Sequence, residues 1–146
     1  MTLLQVRLHP ARFDPLTSLA AWERQGPGSA PAAAHFIGRV RATNASGQPL
    51  EALELEHYPG MAECQLELLA ADCGGSHGVE AVLVEHRIGR VLPGEAIVLV
   101  AVAADRRGPA QRCCQELLEA LKHDAPFWKR EWSGGQGTWI TGNTPL

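Results

Sequence analysis

Nine consecutive apolar residues, Ala96 to Ala104 (AIVLVAVAA), constrain the fold more than any other stretch. A run this short, rich in β-branched residues and without a polar face, reads as a central strand buried on both faces. Val79 to Ile88 has similar character. The turn-rich connection Gly89 to Gly94 (GRVLPG) predicts that these two strands pair antiparallel.

The remaining elements are arranged around that pair. Leu3 to Leu8 alternates apolar with polar residues, as an edge or half-buried strand does. Asp14-Pro15 supplies an N-cap and a first-turn proline for a short helix with Leu16, Leu19, Ala20 and Trp22 on its apolar face, ended by Gly26-Pro27-Gly28. The small-residue stretch GPGSAPAAA is expected to be a loop. His35 to Thr43 predicts a strand with Phe36, Gly38, Val40 and Ala42 on one face and Ile37, Arg39, Arg41 and Thr43 on the other. Turn chemistry follows at Asn44 to Pro49, so Leu50 to Tyr58 is expected to return as the second arm of a hairpin. A second helix is predicted from Met61 to Asp72, ending before Gly74-Gly75, and a third from Pro109 to His123. A final hairpin spans Trp132 to Ile140, and residues 141–146 are expected to form a frayed tail. Runs of strands with about three helices between them predict an α+β fold around a mainly antiparallel sheet, in a single domain over residues 1–146.

Composition narrows the function classes. The formal charge is −3, and aromatic residues make up only 5% of the chain, which argues against nucleic-acid binding. No run of about 18 apolar residues exists to span a membrane, and the N-terminus lacks the order of a signal peptide, so a cytoplasmic location is expected. The four cysteines show no paired metal-ligand spacing; Cys113 and Cys114 diverge by about 100° on a helix. All four read as reduced thiols. Neither Glu56-His57 nor Glu85-His86 has a helical partner histidine, so no metal site is expected, and both pairs read as strand residues.

The third helix carries the chemistry. Ala110, Cys113, Cys114, Leu117, Leu118 and Leu121 form its buried stripe, and each end is basic: Arg106 and Arg107 before it, Lys122 in its last turn, then Lys129 and Arg130 after Phe127-Trp128. Lys122 sits at the rim of the apolar stripe. It either complements the helix C-terminus or faces a site. Lys129 beside an aromatic pair suits a lysine whose pKa falls below its ordinary value of about 10.4 and which then moves protons. Fifteen residues, about 22 Å of helix, separate Arg107 from Lys122. Either the basic ends serve different sites, or one site joins the start of the helix in one chain to its end in another.

Four motifs carry a family resemblance: FIGRVR (Phe36 to Arg41), LEHYPGM (Leu55 to Met61), EHRIGRVLPGE (Glu85 to Glu95) and above all LKHDAPFWKRE (Leu121 to Glu131). In order and spacing the chain resembles the large, catalytic subunits of molybdopterin synthase from about Val6 to Trp139. The resemblance implies an α/β hammerhead-type fold and a homodimer within a heterotetramer, with a small ubiquitin-like sulfur-carrier subunit bound at each end. It also implies sulfur transfer from the carrier's C-terminal Gly-Gly thiocarboxylate to cyclic pyranopterin monophosphate, twice, to make the dithiolene of molybdopterin, with no cofactor. It assigns Lys122 and Lys129 as the catalytic lysines and Arg41, Arg106 and Arg107 to substrate binding, with Arg106 and Arg107 contributed across the dimer; Phe36 and Arg130, within the same motifs, are expected to bind substrate as well. Two departures stand out. Arg106 occupies a position that is histidine in some relatives, and an arginine these proteins place after the last strand is missing at Ile140 to Asn143. The rival reading is a module that docks a ubiquitin-like tail without turnover.

Overall fold

The computed structural model describes residues 2–124 and 126–140; the tail expected at 141–146 lies outside them. In chain order the elements are β1 (Leu3–His9), α1 (Pro15–Arg24), β2 (Ala32–Arg39), β3 (Ala52–Glu56), α2 (Met61–His77), β4 (Ala81–Arg87), β5 (Gly89–Val91), β6 (Ala96–Ala104), α3 (Arg107–Asp124), β7 (Trp128–Ser133) and β8 (Gln136–Ile140), with a 3₁₀ turn at Pro27–Ser29. Two four-stranded sheets form, in the orders β1-β4-β6-β2 and β5-β3-β7-β8. The expected α+β class with three α-helices holds, and every strand pair is antiparallel except β1 with β4.

β6 is the interior strand that its unbroken apolar run predicts, paired with β4 on one side and β2 on the other. Val98, Val100, Val102 and Ala104 face α2 and α3 in one core, with Leu66, Ala70, Ala110, Cys113, Leu117 and Leu121. Leu99, Ala101 and Ala103 face the opposite way, toward Trp22 of α1. A sheet covered on both faces needs no polar side on its central strand, which is why β6 shows none. α1 starts where Asp14 accepts hydrogen bonds from the Leu16 N–H (3.1 Å) and the Thr17 hydroxyl (2.8 Å).

Three expectations fail for reasons visible in the packing. The strand predicted at His35–Thr43 begins instead at Ala32, inside the stretch expected as a loop, because Ala32, Ala33 and Ala34 pair with Ala104, Ala103 and Val102. It ends at Arg39 after a register shift, so Arg41 lies beyond the strand and shares no strand face with Arg39. The hairpin expected across Asn44–Pro49 does not form. A single bridge, Thr43 with Pro49, marks the turn, and β2 and β3 then diverge into different sheets. α2 runs through Gly74 and Gly75 to His77 and stops at Gly78, whose φ of 62° is left-handed. A Cβ on Gly74 would lie 3.0 Å from Thr2 Cγ2 and 3.3 Å from Val82 Cγ2, so this glycine permits close helix–sheet contact rather than ending the helix.

Candidate active site

The topology decides which basic residues meet. β6 runs from Ala96 to Ala104 and leads directly into α3, which folds back across β6 and β2. The start of α3 therefore lies near the end of β6, and the end of α3 near its beginning. The antiparallel partners β2 and β4 finish at that second end, where Arg39 pairs with Ala96 and His86 with Val98. Lys122, Lys129, His86 and the segment after β2 that carries Arg41 gather there. Arg106 and Arg107 sit at the other end.

Lys129 is half-buried on β7, opposite the fully buried Leu55 of β3. Burial lowers its pKa below the ordinary lysine value, and the ammonium of Lys122 pushes the same way. Lys122 is half-buried in the last turn of α3. Between the two lysines the chain is anchored by Phe127, whose ring stacks on His86 with centroids 4.3 Å apart and planes 23° from parallel. His86 is buried, its Nδ1 donates to the Arg87 carbonyl at 2.8 Å, and its pKa falls to about 4, first through burial and then through the charge of Lys129. The site thus holds two ammonium groups beside a neutral imidazole. Burial and the neighbouring ammonium make the Lys129 proton easier to remove than that of an exposed lysine.

The other predicted residues fall as follows. Arg41 is exposed, in a segment held by Val40 N–H to Glu95 O (3.0 Å) and Leu50 N–H to Ala42 O (2.9 Å). Phe36 is 37% exposed on edge strand β2, and its ring lies over Gly38, where a Cβ would come within 3.1 Å of Phe36 Cε1. Arg106 and Arg107 are exposed, and Arg106 lies 3.6 Å from the Asp105 carboxylate. Arg130 is engaged within the fold: its Nε donates to Glu54 Oε1 at 2.9 Å, and its guanidinium lies 4.8 and 4.7 Å from the ring centroids of Trp132 and Trp139. It thereby links β7 to β3 and β8 within the second sheet.

On the outer side of that sheet, Trp128 meets Tyr58 edge-on at 5.2 Å. Both line an open depression of about 570 Å³ with Glu56, His57 and Trp139. Sequence reasoning gave His86 no part in the site. The available signal was Glu85-His86-Arg87, three polar residues closing an apolar strand, all of which are buried. The cysteines are free thiols; burial pushes Cys113 up to about 12 and Cys114 to about 11, far from nucleophilic thiolates.

The fold is an α+β one that brings Lys122 and Lys129 to the same end of the molecule. The family model described as MoaE protein matches residues 9–124. The molybdopterin synthase catalytic subunit of Ralstonia nicotianae is 39% identical over 135 residues, spanning 92% of this chain and 76% of that protein. The solved molybdopterin biosynthesis MoaE protein from Burkholderia ambifaria shares 38% identity and a TM-score of 0.79, covering 94% of this chain and 89% of its own. A Helicobacter pylori structure, a complex of subunits 1 and 2 of molybdopterin-converting factor, has a TM-score of 0.77 over 92% of this chain and 88% of that one; at 21% identity it supports the fold alone. The chain belongs to the MoaE protein family.

Proposed function

We propose that the chain is the catalytic subunit of a cytoplasmic molybdopterin synthase, moving sulfur from the thiocarboxylated Gly-Gly terminus of a small ubiquitin-like carrier to cyclic pyranopterin monophosphate. The observation that carries this reading is the placement of half-buried Lys122 and Lys129 at one end of the fold, where the charge of Lys122 acts on Lys129. A thiocarboxylate donor and a phosphate-bearing acceptor bring two anions to one place, and each needs a cation. Lys122 supplies one of these cations. Lys129 passes protons as the thiocarboxylate sulfur bonds to a pterin side-chain carbon and displaces oxygen there, and as water then replaces sulfur on the carrier's carbonyl carbon to leave a carboxylate. The nucleophilic sulfur arrives on the carrier, which accords with thiols held in their protonated form by burial.

Arg41 and Phe36 complete the pterin-binding side, while the Glu54 pair of Arg130 holds β7 in register for Lys129. Arg106 and Arg107 belong to the same reaction through a second copy of the chain. The uninterrupted 18-residue α3 keeps Arg107 about 22 Å from Lys122 within one chain. A two-fold partner lying antiparallel would bring its own Arg107 to this lysine pair.

The test combines the purified protein with thiocarboxylated carrier and cyclic pyranopterin monophosphate and measures molybdopterin. Wild type forms product, whereas Lys122→Ala and Lys129→Ala bind the carrier but form little. Carrier binding with no product from the wild type refutes the transferase reading and leaves a docking module.

A further inference from the structure

We propose that His86 is a positioning residue for the lysine pair: its ring, stacked on Phe127, fixes the point from which Lys129 enters the site. The proposal rests on the reading that Lys122 and Lys129 carry the transfer, and its test separates the two.

The stretch between the lysines is where geometry has to be won. Lys122 ends a helix packed on the first sheet, and Lys129 belongs to a strand of the second sheet. Phe127 packs against the cores of both sheets. Phe127 immediately precedes β7, whose first residue, Trp128, turns against Tyr58 while Lys129 takes the opposite face of the strand. Whatever holds the Phe127 ring therefore sets where Lys129 emerges.

His86 is suited to hold it. The Nδ1 contact at 2.8 Å is to a carbonyl oxygen, which only accepts, so Nδ1 carries the proton and the ring plane is tied to the end of its own strand. That strand end is itself fixed: the Arg87 guanidinium donates to the His9 carbonyl at 3.2 Å and to the Arg90 carbonyl at 3.0 Å. An aliphatic side chain would fill the space without presenting a flat face at a defined angle. The imidazole does so without adding a third positive charge, since burial and Lys129 keep it neutral.

The experiment compares His86→Leu, His86→Phe and Phe127→Leu in single-turnover and steady-state sulfur transfer, with the Lys129 titration followed by NMR of ¹³C-labelled lysine. The leucine variants should each lower kcat by about tenfold or more while KM for the carrier stays within about threefold. The double leucine variant should be no worse than the poorer single, because both remove one contact. His86→Phe, which keeps the stack, should stay within about threefold of wild-type kcat. The Lys129 titration should move in His86→Leu and remain in place in His86→Phe. Wild-type kcat and an unmoved Lys129 titration in His86→Leu overturn the proposal, as do multiplicative leucine effects or a folded but inactive His86→Phe. Should the leucine variants not fold, the phenylalanine variant alone decides. If Lys129→Ala retains activity, the catalytic reading fails, while the titration still judges the positioning role.

Discussion

If Arg107 and Lys122 act on one substrate they must come from different chains, and mixing two inactive variants should then restore activity. One variant is Arg107→Ala and the other Lys122→Ala. α3 is continuous from Arg107 to Asp124, so its two basic ends stay about 22 Å apart in each chain, beyond the joint reach of their side chains toward a single bound phosphate. In a two-fold dimer with random exchange, about half of the dimers are mixed, and each mixed dimer has one site with both wild-type groups and one with neither. The expected recovery is about a quarter of wild-type activity, half of the dimers times half of their sites. Lys122→Ala mixed with Lys129→Ala serves as the control. Those two lysines lie at the same end of one chain, so neither site of a mixed dimer is complete, and no recovery is expected. The assay is molybdopterin formation after denaturation and co-refolding, with exchange verified by native mass spectrometry. Exchange without recovery refutes the shared site, and recovery in the lysine–lysine control refutes the assignment of both lysines to one chain's end.

Lys122→Ala should nearly abolish product formation while changing unfolding free energy by no more than about 1 kcal/mol in urea titrations, since the side chain lies at the rim of the core. Acid should destabilise the fold through His86. The unfolded chain binds a proton near pH 6.5 and the folded chain only near 4, so stability is full above 6.5, falls as pH drops toward 4 and is flat below; the interval converts to about 3 kcal/mol, which His86→Phe should remove from pH-dependent melting. Iodoacetamide at neutral pH should label exposed Cys64 in the native protein and spare Cys113, as peptide mapping would report; rapid native labelling of Cys113 contradicts its burial.

Where one physical requirement dominates, as for β6 and α3, the sequence is transparent. An all-apolar nine-residue run has few options but the middle of a covered sheet, and the Cys113–Leu117–Leu121 stripe could only be helix. Residues with two uses were misread. Gly74 looks like a helix stop, yet its lack of a Cβ serves contact with Thr2, far off in the sequence, and with Val82 on the strand that follows the helix. Asn44 makes a real turn, accepting from the Ser46 and Gln48 N–H groups at 2.9 Å each, but nothing local states that the flanking strands part into separate sheets. The lysine pair was legible as two basic positions near aromatics. Its partner His86 was not, because an imidazole inside a strand shows neither its burial nor its stacking ring until the chain is folded.

The Arg87 side chain has a mechanical consequence. It joins the His9 carbonyl at the end of β1 in one sheet to the Arg90 carbonyl in β5 of the other, and lies 3.4 Å from the Glu95 carboxylate just before β6. A planar fork with donors in three directions works as a welded joint rather than a hinge. The two sheets then transmit load as one lever, and a force applied to the second sheet is resisted by the first. Arg87→Lys, with a single ammonium in place of the fork, would turn the weld into a pivot and let two intact halves rock against each other.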